Sequence, residues 1–395
     1  MPFIPAETQD FISHVWQKKP LFIPNPWPCW ENPLEPDELA GLACEDGVES
    51  RLITQNAGGW AMDHGPFDAD HFATLGAAPW TLLVQAVDQH IPPVAALMDP
   101  FRYIPNWRLD DVMVSYATDG GGVGPHYDQY DVFLIQGLGR RRWQVGQMCN
   151  GTTALLPHDH LRLIADFTPT AQWVLEPGDI LYVPPGIAHN GVAVGDDCMT
   201  YSVGFRAPSR SELLAHFCDH QLAGLVDDDR YTDQPAGLAA GHHPGEITPA
   251  ALDRLHQMMV AAVADKRAFA RWFGGYISAP KYRDMADEMG GDASGSAGAD
   301  AADGAGAANV ARQLAASVAL VRNPASRFSY ILQDDGAVTL FADGAAFDLP
   351  AADVPVVQAL CADMGEMVAL PPRPGASAIA AIAALVAQNS VAFDD

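Results

Sequence analysis

Residues 178–189 have the sequence Gly-Asp-Ile-Leu-Tyr-Val-Pro-Pro-Gly-Ile-Ala-His, and this stretch is the most informative part of the chain about its fold. The glycine favours a tight turn, and the apolar run that follows predicts a short strand over Asp179–Val183. Pro184 to Gly186 then predicts a second turn, after which His189 enters the next strand. The stretch therefore predicts two short, sharply connected strands of a small β-barrel, with His189 carried into its interior.

The region around this stretch, residues 110–206, is rich in short β-forming runs separated by turn residues. About eight short strands of this kind suit a small closed barrel or a jelly roll. The predicted strands are Val112–Ala117, Val132–Gln136, Arg142–Val145, Trp173–Leu175, Ile180–Val183, Gly191–Val194 and Met199–Phe205.

Upstream of the turn, His126-Tyr127-Asp128 offers a second set of candidate metal ligands. In a strand, residues two apart project to the same face, so His126 and Asp128 can present a nitrogen and an oxygen to one ion. With His189 they complete a set of two histidines and one carboxylate, which leaves three positions open on iron(II). The pair alone is weak, because surface His and Asp residues at this spacing are common.

The two features together are much more specific than either alone. Gly178, Pro184, Gly186 and His189 have the spacing of the second motif of cupin barrels, and the histidine–aspartate pair precedes them in barrel order. We therefore predict that His126, Asp128 and His189 ligate a metal ion.

Arg141 is the candidate for binding an organic anion beside that metal. Alternation along a strand sends Arg140 and Arg142 to one side and Arg141 to the other. An inward arginine in an apolar barrel needs a carboxylate partner, and the distal carboxylate of 2-oxoglutarate matches its two-pronged geometry. Ser115 can donate its hydroxyl to the same carboxylate. The alternative, a basic surface strand, fits Arg140 and Arg142 better than Arg141.

The flanking regions predict further units. Residues 1–100 are interpreted as mixed helices and loops, with a helix over Phe11–Trp16, a short strand over Lys19–Ile23 and helical spacing over Thr81–His90. Helices resume at Ser209, which begins a capping box, and at Thr248-Pro249, which caps a helix bearing an apolar stripe. These helices can pack within one domain or form a dimer interface, and the sequence leaves both possibilities open.

Residues 290–308 contain only Gly, Ala, Asp and Ser, a composition that predicts a flexible linker. Beyond it we predict a helix over Val310–Arg322, strands near Phe328–Leu332 and Val338–Phe341, and two apolar helices near Val354–Ala362 and Ser377–Ala387. This order is compatible with a winged-helix-like fold, and the scarcity of basic residues favours contact with protein.

Composition narrows the functional classes. The net charge of −27 disfavours direct nucleic-acid binding and suits either solubility alone or a basic protein partner. The six scattered cysteines predict neither a disulfide framework nor a zinc site. No apolar stretch predicts a membrane span, and no secretory signal is visible, so we expect a cytoplasmic protein.

Over residues 33–273 the chain resembles the JmjC-type ribosomal oxygenases. The matching runs are Pro36–Ala43, His64–Phe67, Leu82–Val87, Gly120–Leu134, Gln136–Val145, Leu175–Gly186 and Tyr201–Pro208.

The resemblance implies a mixed α+β architecture. Its parts would be a JmjC or cupin double-stranded β-helix barrel with flanking elements (1–206), a helical dimerisation region (207–289), a linker (290–309) and a winged-helix-like domain (310–395).

The resemblance also implies iron at His126, Asp128 and His189, and 2-oxoglutarate at Arg141 and Ser115, with dioxygen as the second cosubstrate. The expected activity is hydroxylation of the β-carbon of an arginine in a basic ribosomal protein of the large subunit, by a homodimer. Two alternatives are a cupin-type enzyme acting on a small molecule and a non-catalytic cupin binding module. The first would leave Arg141 and the C-terminal domain unexplained.

Overall fold

The computed structural model describes residues 5–56, 59–76, 78–233, 243, 245–281, 304–316, 318–362, 367–371 and 373–394. Among these residues, no helix combines the length and the apolar composition that crossing a membrane requires.

The centre of the molecule is a barrel built from two antiparallel sheets. Its strands are β1 Leu21–Ile23, β2 Ser50–Asn56, β3 Gly59–His64, β4 Trp80–Val84, β5 Leu109–Ala117, β6 Val132–Leu138, β7 Arg141–Met148, β8 Ala171–Leu175, β9 Ile180–Val183, β10 Ile187–Ala193 and β11 Cys198–Phe205. The larger sheet has the order β1-β9-β6-β11-β5-β4-β2-β3, and the smaller has the order β10-β7-β8. All seven strands predicted between residues 110 and 206 are present.

Apolar side chains from both sheets pack into one cluster, which shows that the sheets face each other. Leu134 and Leu181 come from the larger sheet, and Val145 and Leu175 come from the smaller one. Strand β11 lies between β5 and β6 and is buried along its whole length. The predicted barrel is thus the observed core.

The prediction of helices and loops over residues 1–100 was wrong in part. Thr81–His90 is not a helix: it begins in strand β4 and continues into a single 3₁₀ turn over Val87–Gln89. Strands β2 and β3 extend the same sheet. Four consecutive residues of β4 are buried because both faces of the strand are covered, and an apolar run without alternation does not distinguish a buried strand from a buried helix.

The remaining N-terminal elements cover the outer face of the larger sheet. They are the helices α1 Pro5–His14, α2 Pro36–Leu42, α3 Ala69–Phe72 and α4 Pro92–Ala95. Phe11 of α1 contacts Tyr182 of β9 at 5.1 Å between ring centroids, and Phe101 contacts Phe133 of β6 at 4.3 Å. With this face packed, the barrel interior is left for a functional site.

Three helices follow the barrel: α5 Arg210–Leu222, α6 Pro249–Val263 and α7 Lys266–Ser278. Both predicted N-caps are present, since Ser209 forms a reciprocal capping box with Glu212 and Thr248 accepts the backbone N–H of Ala251. Helix α6 leaves much of its apolar stripe on the surface. Its exposed apolar residues are Leu252, Leu255, Met259, Val260 and Val263.

The C-terminal unit has its own apolar core. Its elements are α8 Gly304–Ala315, β12 Leu320–Arg322, β13 Phe328–Leu332, β14 Val338–Ala342, β15 Ala345–Leu349, α9 Val354–Ala362, β16 Met367–Val368, α10 Ala376–Ala387 and β17 Val391–Phe393. Two small sheets have the orders β13-β14-β15 and β16-β12-β17.

The boundaries of this unit differ from the prediction at its first helix. Helix α8 begins at Gly304, inside the range 290–309 predicted as a linker, and it ends at Ala315. The segment Leu320–Arg322, predicted as the end of that helix, is strand β12, which pairs with β16 and β17. Pairing with strands more than 40 residues later overrides the local helical pattern. The rest of the predicted linker, 290–303, lies outside the described residues.

Candidate active site

His126 lies directly opposite His189, which belongs to strand β10 of the smaller sheet. Each backbone N–H donates to the other's carbonyl oxygen, at 3.0 and 2.8 Å. Residues paired in this way project their side chains to the same face. The pairing is an isolated bridge, so His126 and Asp128 do not lie in the regular strand that their spacing predicted. The backbone N–H of Gly186 donates to the carbonyl of Asp128 at 2.7 Å and holds that segment instead.

The three side chains converge on one point. The Nε2 atoms of His126 and His189 lie 4.0 and 3.6 Å from Oδ2 of Asp128, and the candidate ligand atoms all lie within 4.8 Å of one another. Each Nδ1 faces a backbone carbonyl, that of Gly124 at 2.9 Å and that of Ile187 at 3.0 Å, so each Nδ1 carries the proton. The lone pairs of both Nε2 atoms are thereby directed at the shared point, which is the arrangement that metal-binding histidines need.

His189 is held in its neutral form. Burial and, to a smaller extent, the neighbouring His126 lower the pKa of His189 to about 4, although Asp128 partly opposes them. A neutral imidazole is the species that ligates metals. At neutral pH the site therefore needs no proton release from His189 before it binds an ion.

Local backbone geometry explains why the stretch before His189 contains glycine at two positions. Gly178 and Gly186 have φ angles of +90° and +79°, a region that glycine adopts without steric cost. The carbonyl of Gly186 accepts the backbone N–H of Cys149 at 2.7 Å, which ties the turn to the end of β7. These two turns fix where β10 begins and hence where His189 points.

Arg141 lies inside the barrel, as the alternation argument predicted. It is 3% exposed, whereas Arg140 and Arg142 are exposed to solvent. Its Nε and Nη2 atoms are buried and have no hydrogen-bond partner among the described residues. A buried guanidinium without a partner is costly, so this position calls for an anionic ligand.

Ser115 and Trp143 complete the wall between the arginine and the histidines. Ser115 is buried, and its hydroxyl lies 3.5 Å from the carbonyl oxygen of Thr200. The indole of Trp143 lies 5.8 Å from the Arg141 guanidinium and 5.9 Å from the His189 ring. The two ends of the site are thus joined by one packed aromatic side chain, which the sequence analysis did not single out.

A cavity of about 360 Å³ brings all five predicted site residues together. A dicarboxylate of the size of 2-oxoglutarate fits this volume, with an anion-binding group at Arg141 and metal-binding groups at the histidines. The donor set suits iron(II), because two imidazoles and one carboxylate leave coordination positions for further ligands. The residues present therefore fit both groups.

The cavity also has an acidic wall that sequence reasoning missed. Asp110 and Asp111 at the start of β5 line it together with Gln85, Tyr130 and Lys281. The signal available was a pair of aspartates that opens an otherwise apolar strand. Nothing in the sequence around Asp110 shows that this end of β5 faces the histidines, because that depends on the closure of the barrel.

A two-histidine, one-carboxylate centre inside a barrel of this kind defines the class of JmjC-type metal-dependent oxygenases. The JmjC domain model matches residues 96–213, which contain every predicted site residue. The ribosomal protein uL16 3-hydroxylase of Escherichia coli is 45% identical over 274 residues, which are 69% of this chain and 72% of that protein. A probable ribosomal oxygenase of Haemophilus influenzae is 37% identical over 71% of each chain. The chain belongs to the ribosomal oxygenase family.

Solved structures agree with this assignment over nearly the whole chain. The crystal structure of E. coli ycfD has a TM-score of 0.81, 36% sequence identity and 98% coverage of both chains. YcfD, a ribosomal oxygenase, in complex with cobalt and 2-oxoglutarate, has a TM-score of 0.80 at the same identity and coverage. The similarity therefore includes the C-terminal unit.

Proposed function

We propose that this chain is an Fe(II)- and 2-oxoglutarate-dependent protein hydroxylase. The observation that carries the proposal is a buried arginine, Arg141, whose Nε and Nη2 atoms have no hydrogen-bond partner among the described residues. It lies in the same cavity as two histidines whose Nε2 atoms face one carboxylate. His126, Asp128 and His189 would hold the iron, and Arg141 with Ser115 would hold the distal carboxylate of 2-oxoglutarate. When bound, iron, 2-oxoglutarate and dioxygen together supply the oxidising power that converts a C–H bond to C–OH, with release of succinate and carbon dioxide.

The protein's own contribution is orientation and exclusion of water. The backbone carbonyls of Gly124 and Ile187 fix the tautomer and the direction of the two histidine rings. Trp143 packs between the metal end and the arginine end and keeps their spacing rigid. Rigid ligands and a shaped, largely buried cavity are what a protein adds to chemistry of this kind.

The proposed substrate is a large-subunit ribosomal protein, uL16, hydroxylated at the β-carbon of an arginine. The E. coli relative is named for 3-hydroxylation of uL16, and the β-carbon is carbon 3 of an amino acid. Asp111 in the cavity wall suits a cationic side chain, and the net charge of −27 suits a basic protein. A protein that acts on ribosomal proteins in this way would work in the cytoplasm.

We further infer a homodimer, formed through residues 207–289. The exposed apolar residues of α6, among them Met259 at 68% and Leu252 at 54% exposure, support an interface there. Light scattering at micromolar concentration measures the molar mass directly.

Residues 1–206 would form the catalytic domain. The C-terminal unit from residue 310 onward, a winged-helix-like domain in this proposal, would contact protein.

The deciding experiment measures succinate formed from 2-oxoglutarate, with iron(II), in the presence and absence of a uL16-derived peptide that contains arginine. A protein hydroxylase is stimulated by the peptide, an enzyme of small molecules turns over without that stimulation, and a binding module forms no succinate. Mass spectrometry of the peptide locates the added oxygen.

The matched control for this assay is Asp128→Ala, which removes one proposed iron ligand at a site that is partly exposed. We expect no detectable succinate and a nearly unchanged thermal unfolding midpoint. Normal turnover by that variant would contradict the assignment of the iron site.

A further inference from the structure

The acidic wall of the cavity is held by cations that come from three different parts of the chain. Asp110 accepts Arg206 Nε at 3.1 Å, Lys281 Nζ at 2.8 Å and Arg327 Nη2 at 3.1 Å. Arg206 follows β11, Lys281 follows α7, and Arg327 precedes β13 in the C-terminal unit. Burial alone would raise the pKa of Asp110, but Lys281 and Arg327 outweigh it and lower the pKa to about 2. Asp110 is therefore ionised at neutral pH.

Arg327 contacts this residue in two ways. Its Nη2 donates both to the backbone carbonyl of Asp110, at 3.1 Å, and to the side-chain Oδ1, at 3.1 Å. Its own backbone N–H donates to Oδ1 of Asp343, which lies between β14 and β15. The backbone of Arg327 is thus bound to the C-terminal unit, and its side chain is bound to Asp110 at the start of strand β5.

The next residue, Asp111, connects this clamp to the cavity. Asp111 is buried, and its Oδ2 accepts Nε2 of Gln85 at 2.9 Å and lies 3.9 Å from Nζ of Lys281. Lys281 thus interacts with both aspartates. Because Arg327 also holds the backbone carbonyl of Asp110, loss of this contact is expected to shift the backbone that carries Asp111.

We propose that Arg327 is a positioning residue: through it the docked C-terminal unit holds Asp110, and thereby keeps the adjacent Asp111 in the geometry that captures a cationic side chain of the protein substrate. The inference rests on the proposed function, because it concerns the same cavity and a basic substrate. It assigns to the C-terminal unit a role in substrate capture that needs no contact between that unit and the substrate.

Other contacts keep the C-terminal unit docked when Arg327 is changed, so the effect should be local. The side-chain amide of Asn106 donates to the carbonyl of Cys361 at 2.9 Å. Nη1 of Arg271 in α7 donates to both carboxylate oxygens of Asp348 in β15, at 2.8 Å each. Because the Arg271 pair is exposed and lies outside the cavity lining, Arg271→Ala is a matched control for loss of an arginine near this boundary.

The test compares Arg327→Ala, Arg327→Lys and Arg271→Ala in steady-state kinetics with the uL16-derived peptide. For Arg327→Ala we expect the KM for the peptide to rise about tenfold, because Asp111 keeps its carboxylate but loses the contact that positions its backbone. Its kcat should stay within about twofold of wild type, because the iron site is not touched. Arg327→Lys keeps the charge but not the double contact and should give an intermediate KM, and Arg271→Ala should match wild type.

Equal KM values in Arg327→Ala and Arg271→Ala would overturn the inference. So would a fall in the kcat of Arg327→Ala as large as the rise in its KM. If Arg327→Ala does not fold, Arg327→Lys decides, and a wild-type KM in that variant would overturn the inference. Uncoupled 2-oxoglutarate turnover without peptide serves as a separate reporter of the iron site. If the peptide does not stimulate even the wild-type enzyme, the proposed function fails. If it stimulates all variants alike, only the role of Arg327 fails.

Discussion

At the scale of single residues, the most informative position is Arg141, because its neighbours of the same type provide an internal comparison. Arg141 and Arg142 begin strand β7 and lie on opposite sides of it, and Arg140 directly precedes the strand. Arg141 is buried in the cavity wall, and Arg140 and Arg142 are exposed. Period-two alternation is therefore enough to tell a candidate ligand-binding arginine from two surface ones.

Replacing Arg141 by lysine keeps the positive charge but loses the planar, two-pronged donor. We expect the KM for 2-oxoglutarate to rise about tenfold or more, since a hydrogen bond to a charged group contributes about 1.5–3 kcal/mol. The measurement is succinate formation over a 2-oxoglutarate series. Binding of 2-oxoglutarate to the iron-loaded protein without peptide should weaken in parallel.

Arg140→Lys is the control, because it makes the same chemical change one residue away on the exposed side. It should leave the KM for 2-oxoglutarate unchanged. A larger effect at Arg140 than at Arg141 would show that the assignment of strand faces is wrong.

At the scale of secondary-structure elements, the connection between β4 and β5 depends on a buried carboxyl group. Asp88 lies in the 3₁₀ turn after β4, and its Oδ1 accepts the backbone N–H of Val112 in β5 at 2.8 Å. Burial raises the pKa of Asp88 to about 7, although the hydrogen bond from Val112 partly opposes this. The group therefore holds its proton in the folded protein at a pH where the unfolded chain has lost it.

This pKa predicts how stability depends on pH. Between about pH 4 and pH 7 the folded state binds more protons than the unfolded state, so the free energy of unfolding falls as pH rises through this interval. Asp88→Asn removes the titration and keeps an oxygen that accepts from Val112. The variant should be more stable than wild type above pH 7, by at most about 4 kcal/mol at about 1.4 kcal/mol per pKa unit.

Denaturant unfolding of both proteins from pH 5 to pH 8 measures this effect. Asp70→Asn, at an exposed position on α3, controls for the general change in net charge. If the stabilities of Asp88→Asn and wild type change with pH in parallel, Asp88 is not the titrating group.

At the scale of the whole molecule, the net charge of −27 should act on the encounter with a basic substrate. Attraction between opposite charges speeds association, and salt screens it over about 8 Å at physiological ionic strength. We therefore predict that raising salt from about 0.05 to about 0.5 M lowers kcat/KM toward a basic peptide several-fold. The effect belongs to substrate capture and not to the reaction at the iron site.

Uncoupled 2-oxoglutarate turnover, measured without peptide over the same salt series, isolates the chemical step. It should change little. If both activities fall in parallel with salt, the charge serves solubility alone and the electrostatic argument for a basic partner is lost.

The sequence by itself determined the parts of this protein that depend on local spacing. Turn residues and short apolar runs predicted the barrel strands, and the Gly178–His189 stretch with His126 and Asp128 predicted the triad. Alternation predicted the face of Arg141. These inferences succeed because strand periodicity and turn chemistry act over only a few residues.

Only the tertiary structure decided which distant segments meet. The acidic pair at Asp110 and Asp111 faces the histidines because the sheets close into a barrel, and Arg327 reaches Asp110 across more than 200 residues of chain. The segments of strands β4 and β12 were predicted as helical because their local patterns show neither the burial of β4 on both faces nor the pairing of β12 with later strands. Contacts of this kind depend on sheet closure and domain docking, which no short window of sequence encodes.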